Sequence, residues 1–260
     1  MAKVIAIINQ KGGVGKTTTA VNLSALLGAM GQRVLMIDLD PQGNTTSGLG
    51  MEVDDKSIYE VIMGRMKLTD VMEETEFKNL SIAGSDVRLA NAELELVEVE
   101  KREYRLKTAV QSVQRDFDFI FIDCPPSLGL LTINALGAAD SVLIPIQCEY
   151  YALEGVASLM NTISRVKKTI NPHLEIEGVL LTMLDGRTNL GLQVVDEVKK
   201  HFKKQVYATV IPRSVRLGEA PSHGEPIHVY DKRSAGCVAY VNLAKEVLKR
   251  NNIKVKEFKL

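Results

Sequence analysis

An unbroken apolar run, Val4 to Ile8, gives way to a glycine-rich turn and then to Ala20, Leu23, Leu26 and Leu27 at helical spacing. The run reads as a parallel strand buried on both faces. The spaced residues predict a helix over Thr17–Met30, with Gly31 placed to cap it. The alternation continues along the chain. Strands are expected at Arg33–Ile37, Leu80–Ala83, Phe119–Asp123, Ser141–Ile146, Glu177–Leu184 and Val206–Ile211. Short helices are expected near Ile58–Met63 and Leu68–Met72, and one ending about Leu136. Longer ones are expected over Asp86–Arg115, Tyr150–Ile170, Asn189–Phe202 and Ser234–Arg250. Strands alternating with helices specify an α/β fold, a doubly wound, mostly parallel sheet with helices on both faces. No repeat, low-complexity tract or linker divides the chain, so residues 1–260 are expected to form one domain.

Composition narrows this picture without redirecting it. Among 260 residues, 45% are hydrophobic and 25% charged, an ordinary globular balance with enough length for a large core. The 32 basic and 32 acidic side chains cancel, so any nucleic-acid surface has to come from local clustering. Three widely spaced cysteines, Cys124, Cys148 and Cys237, with no CxxC pair, argue against a disulfide framework or a zinc site. No apolar run approaches the roughly 20 residues that cross a bilayer, and the chain runs directly into a strand; a cytoplasmic protein is expected. Glu93, Glu95, Glu98, Glu100 and Glu103 read as a solvated helix face.

The chemistry is concentrated where strands end. Lys11-Gly12-Gly13-Val14-Gly15-Lys16-Thr17-Thr18 lies between a strand and a helix, the context of a phosphate-binding loop, although G-x-x-x-x-G-K-[ST] is met from Gly12 only with relaxed spacing. Gly12, Gly13, Val14 and Gly15 can turn backbone N–H groups toward phosphates, where the helix dipole also favours an anion. Lys16 can place a cation between β and γ oxygens, and the Thr17 hydroxyl can ligate magnesium. Asp123 closes an apolar strand as a Walker B acid does, and can hold that ion through water. Asp40, in Asp38-Leu39-Asp40-Pro41-Gln42-Gly43-Asn44, can orient an attacking water; a carboxylate with an ordinary pKa of about 3.9 is a poor base but a good positioner. A turn or helix-cap role competes for Asp40. Lys11, preceding the glycines, needs a separate explanation.

With its leading lysine, the loop resembles the deviant Walker A motif of the ParA/MinD class of ATPases. The resemblance extends over nearly the whole chain and is strongest toward ParA/Soj chromosome-partition proteins. It is carried by Asp38–Asn44, by Ile122-Asp123-Cys124-Pro125-Pro126-Ser127, by Gln147–Gly155, and by Arg216-Leu217-Gly218-Glu219-Ala220-Pro221-Ser222-His223-Gly224, where Gly218 is a departure. The resemblance implies a P-loop NTPase that hydrolyses ATP with Mg2+ and forms a nucleotide-sandwich homodimer. Lys11, Lys16 and Asp40 are then catalytic, with Lys11 reaching the partner's phosphates as an arginine finger would. Gly12 to Thr18 and Lys11 bind nucleotide; Thr17, Asp40 and Asp123 attend the metal. Pro212 and Arg213 meet adenine, unless they form an ordinary strand-ending turn. Gly12 lies where two loops face each other, so a side chain there blocks pairing. The ATP-bound dimer binds DNA without sequence preference through Arg187 and Arg216, near Lys199, Lys200, Lys203 and Lys204, whose plainer reading is a solvated helix face. A ParB/Spo0J-type partner stimulates hydrolysis and resets the dimer to monomers, on a nucleoid carrying chromosome or plasmid cargo.

Two rivals share the loop. A MinD-like, membrane-associated division ATPase needs a terminal basic amphipathic helix, but residues 251–260 alternate apolar and charged positions. An iron-protein-type reductase needs paired cluster cysteines, and Cys124 and Cys148 lie in stretches that match the partition family better.

Overall fold

The computed structural model describes residues 1–149, 155–255 and 258. Its strands are β1 (Lys3–Ile7), β2 (Val34–Asp38), β3 (Met72–Glu74), β4 (Leu80–Ala83), β5 (Phe119–Asp123), β6 (Ser141–Gln147), β7 (Glu175–Leu184) and β8 (Val206–Pro212). They form one eight-stranded sheet in the order β3-β4-β2-β5-β1-β6-β7-β8. Every pairing is parallel except β3 with β4. Apolar strand residues alternate between two cores. Val4, Ala6 and Ile8 face one, with Ile120 and Ile122; Ile5 and Ile7 face the other, with Phe119 and Phe121. The second core is covered by the helices Lys16–Ala29 and Ala235–Arg250, the first by Arg105–Val113, Leu130–Ala138, Val156–Thr169 and Asn189–Phe202. β1 lies inside the sheet between β5 and β6, with β6, β7 and β8 following outward on one side and β5, β2, β4 and β3 on the other, and the crevice at the carboxyl ends of such strands is where doubly wound sheets bind ligands. The doubly wound fold expected from the alternation is the one observed.

Two expected elements differ. Asp86–Arg115 is not one helix: 3-10 turns at Val87–Asn91 and Arg102–Tyr104, and a helix of one turn at Ala92–Glu95, precede the helix Arg105–Val113. Lys101 interrupts it with φ +54°, and the Arg102 guanidinium donates to the Leu96 and Val97 carbonyls, which a continuous helix would have used itself. Like charges crowding from Glu93 to Glu103 also oppose helix propagation. Near Leu68, the helix stops at Val71, and Met72 is already extended, pairing with Ala83 as the antiparallel edge. Tyr150–Glu154, where the next helix was expected to begin, lie outside the described residues; that helix is Val156–Thr169. At the C-terminus, Ile253, Val255 and Phe258 pack against the second core, so the period-two pattern covers hydrophobic surface without forming an amphipathic helix at 251–255. Among the described residues, no helix is long and apolar enough to cross a membrane.

The first helix is held close to the Lys78–Asn79 turn by a glycine. Asn79, itself at φ +55°, donates its side-chain amide to the Gly28 carbonyl, and a Cβ on Gly28 would collide with the Lys78 carbonyl oxygen. Alanine gains about 0.5–1 kcal/mol of helix preference over glycine, whereas forcing a methyl into a packed backbone contact costs about 1–3 kcal/mol. Gly28→Ala is therefore expected to lower stability by roughly 1–2 kcal/mol, read as a fall of a few degrees in the thermal unfolding midpoint. An unchanged or raised midpoint would contradict this packing.

Candidate functional site

The loop after β1 is shaped by two glycines in left-handed backbone, Gly13 at φ +71° and Gly15 at φ +89°. No side chain caps the helix that begins at Lys16, and its first turn carries no acid. Its leading amides, which have no partner within the helix, are left for an anion. Two contacts fix the loop from behind. The Thr182 hydroxyl donates to the Val14 carbonyl at 2.8 Å; Asn9 accepts from the Lys11 amide and donates to the Pro145 carbonyl.

Lys16 is buried, and its ammonium donates to the Lys11 carbonyl at 3.3 Å, folded back over the loop. Burial lowers its pKa, opposed by the nearby Asp123, Cys124 and Asp40. The expected loop lysine and two expected carboxylates thus share one electrostatic neighbourhood. Lys11 is partly exposed and forms no ion pair among the described residues. Gly12 is exposed and has open space where a Cβ would project.

Asp123 is fully buried at the end of β5, level with Ile7 of β1 and Asp38 of β2. Its Oδ2 accepts hydroxyl hydrogens from Thr17 at 2.8 Å and Thr45 at 2.7 Å; its Oδ1 is buried without a partner. Burial, with Asp38 adding repulsion, raises its pKa to about 7. Asp38 accepts from the Thr46 amide and hydroxyl and from the Asp40 amide, and burial raises its pKa to about 6. Asp40 is buried beside them and accepts the Gln42 amide through Oδ1, so the turn role exists, and it engages one carboxylate oxygen. Sequence reading named Thr17, Asp40 and Asp123 but passed over Asp38, Thr45 and Thr46 as participants. Two consecutive threonines directly after the acidic stretch were the available signal.

These donors suit a hard cation. All are oxygens, and the orphaned Asp123 Oδ1 is a buried acceptor in need of a partner. Among the described residues no three His, Cys, Asp or Glu cluster as a self-sufficient metal cage, as fits an ion held mainly by phosphate and water. Pro212 and Arg213 line a cavity of about 190 Å³ with Gly15, Thr18 and Tyr240, placing the expected base-contacting pair next to the helix start. Arg213 also donates to Glu149 at 2.8 Å.

The two expected DNA-contacting arginines are not free. Arg187 is exposed but donates to both Asp185 oxygens, at 2.9 and 2.8 Å, which holds Asp185 down to about 2. Arg216 pairs with Glu219 at 2.9 Å and Asp231 at 3.5 Å. Lys199, Lys200, Lys203 and Lys204 are exposed, and Lys200 pairs with Glu197. All three cysteines are buried and unbridged, with thiol pKa values raised by burial, which leaves no exposed pair for a bridging cluster.

A family model described as an AAA domain, AAA_31, matches residues 2–176. The chain is 59% identical over 249 residues to the sporulation initiation inhibitor protein Soj of Bacillus subtilis, spanning 95% of this chain and 98% of that protein. It is 51% identical over 256 residues to the chromosome partitioning protein ParA of Myxococcus xanthus, spanning 98% and 90%. Among solved structures, cobyrinic acid a,c-diamide synthase from Mycobacterium smegmatis, with a bound ATP analogue and magnesium, superposes with a TM-score of 0.85 at 37% identity over the whole of both chains. The loop, the strand-end acids and these relatives agree: the chain belongs to the ParA/Soj family of chromosome-partitioning ATPases, within the ParA/MinD class that carries the deviant Walker A loop.

Proposed function

We propose that residues 1–260 act as one ATPase unit, binding ATP with magnesium, pairing face to face across the Gly12 loops, and binding DNA without sequence preference in the paired state. The observation that carries this reading is the loop itself: Lys16 is buried behind it, folded onto the Lys11 carbonyl with Asp123 and Asp40 nearby, while Lys11 is partly exposed and, like Lys16, forms no ion pair among the described residues. A second cation at a phosphate loop, unpaired in its own subunit, suits phosphates bound by a second copy. Backbone N–H groups of Gly13 to Thr18 bind the β-phosphate. Lys16 swings from the Lys11 carbonyl to the β and γ oxygens. Thr17 would hold the metal through an oxygen lone pair while its O–H stays on Asp123, which Thr45 also keeps oriented. Asp40 positions the water that attacks the γ-phosphorus as its bond to the β–γ bridging oxygen breaks, and Lys11 of the partner copy neutralises the charge that develops there. Magnesium, when bound, screens the β and γ oxygens. Pro212 and Arg213 flank adenine. A ParB/Spo0J-type partner accelerates hydrolysis and returns the chain to monomers, in the cytoplasm and on the nucleoid. A membrane-anchored MinD-like reading loses support because Ile253, Val255 and Phe258 are used for packing.

Arg187 and Arg216 in each of two subunits give four phosphate contacts, and each contributes about −0.9 to the slope of log K against log salt on duplex DNA. Filter binding with ATP should give a slope of about −3.6 for wild type, and about −1.8 for Arg187→Ala. Binding that is equally strong without nucleotide would sink the switch.

Gly12→Val places its side chain in open space within one subunit, so the monomer should fold with unchanged stability and still bind ATP. Sedimentation with a non-hydrolysable ATP analogue should then find monomers where wild type dimerises. A normal dimer from this variant would remove Gly12 from the interface.

The raised carboxylates fix the sign of a pH effect. In the unfolded chain Asp titrates near 3.9, whereas Asp38 and Asp123 titrate at about 6 and about 7 when folded. Between those limits the folded state holds more protons, so without nucleotide their contribution to stability falls as pH rises from about 4 to about 7. Urea unfolding across that range should show a shallower decline in Asp123→Asn than in wild type. A parallel decline would mean that Asp123 does not titrate there.

A further inference from the structure

On the face of the sheet opposite the loop helix, the helix Arg105–Val113 buries Leu106, Val110 and Val113 in the first core. Its other stripe, Arg105, Thr108, Ala109 and Ser112 at i, i+3, i+4 and i+7, faces the 61–68 turn across a cavity of about 530 Å³. That volume lies inside the roughly 300–1,000 Å³ range of small-molecule sites. The floor is apolar, from Val61, Met66 and Leu68. The groove stays open because Thr108, Ala109 and Ser112 are small, and because Gly64, at φ +74°, leaves the Arg105 guanidinium room; a Cβ on Gly64 would sit 2.6 Å from Arg105 Nη1.

Arg105 is anomalous among its neighbours. Arg65 pairs with Glu60 and Glu95, Arg88 with Asp86 and Glu60, and Arg102 donates to two carbonyls. Arg105 forms no ion pair among the described residues, and its Nε is buried with no acceptor. A buried guanidinium N–H without an acceptor is unfavourable and calls for one from outside the chain. Lys67 and Lys101 share the rim with a single acid, Glu100, so three cations face one carboxylate.

We propose that this groove binds an amphiphilic organic anion, with a carboxylate or phosphate head on the Arg105 fork and an apolar body along Val61, Met66, Leu68 and Ala109. The head pairs with the terminal Nη donors, which no hydrogen bond among the described residues engages, and a turn of the guanidinium would bring the buried Nε to the same head in the planar paired geometry that guanidinium favours. The site is separate from the nucleotide loop and does not depend on the function proposed above.

The test uses the full-length chain without nucleotide, titrated calorimetrically with decanoate, decyl phosphate and decanol, each below its aggregation concentration. Both anions should bind at one site per chain and raise the unfolding midpoint, and decanol should bind at least about tenfold more weakly. The stronger of the two anions identifies the head group. Arg105→Leu keeps an apolar stem and strands no partner; it should weaken both anions about 10- to 100-fold, to the level of decanol. Arg105→Lys should fall between. Ala109→Phe, which fills the groove without touching the charge, should abolish binding of all three. Should Arg105→Leu fail to fold, Ala109→Phe and the exposed Lys101→Gln carry the same comparison. No anion binding by wild type, equal affinity for decanoate and decanol, or anion affinity unmoved by both groove substitutions would overturn the proposal.

Discussion

A carboxylate without water organises the functional end of this sheet. Asp123 terminates the strand between β1 and β2, where both faces are covered, so the fold desolvates it completely. A buried charge persists only with compensation, and the surroundings supply it piece by piece. Thr17 and Thr45 donate hydroxyls, and Lys16 is drawn in to oppose the charge, at the expense of its own desolvation. The compensating groups sit on two elements other than β5: Lys16 and Thr17 at the start of the loop helix, and Thr45 in the segment after β2. The position of the phosphate loop is thereby tied to the position of the acid-bearing turn that follows β2.

That coupling extends one step further. Asp38 accepts from Thr46, whose hydroxyl oxygen also accepts the Ser85 amide beyond β4. A Thr17 hydroxyl that offered an oxygen lone pair to a metal would still have its O–H to donate to Asp123, beside the donation from Thr45. A ligand at the loop that moved Asp123 would reach Thr45 directly, and Thr46 next to it holds Asp38, which accepts the Asp40 amide. The segment proposed to orient water and the segment proposed to bind phosphate meet in one hydrogen-bonded set around Asp38 and Asp123.

Much of this was legible in the sequence because it is local. The strand-loop-helix order, the positions of Lys16 and Thr17, and the strand-end placement of Asp123 all depend on neighbours within a few residues. The doubly wound sheet followed from the same short-range alternation. What could not be read was the pairing of side chains far apart in the chain: Thr17 with Asp123 across 106 residues, and Thr45 with Asp123 across 78. Helical periodicity also overstated Asp86–Arg115, because it registers apolar spacing and not the Arg102 guanidinium that captures two carbonyls. Arg187 and Arg216 were read as available cations; their carboxylate partners, two and three residues away, were visible but carried no signature of pairing.

Those ion pairs bear on how a chain of zero net charge could hold DNA. An exposed arginine already facing a carboxylate has part of its field cancelled, and such pairs hold weakly in water. A single subunit thus presents damped cations, each of which has to leave Asp185, or Glu219 and Asp231, to meet a phosphate. Linking two subunits changes the balance without strengthening any contact. Once one arginine engages a phosphate, the others act at high effective concentration, so exchanges that are individually marginal become collectively favourable. Weak, self-paired arginines are then better suited to a nucleotide-controlled switch than strong free ones, because strong free cations would bind DNA as monomers and leave nothing for dimerisation to control.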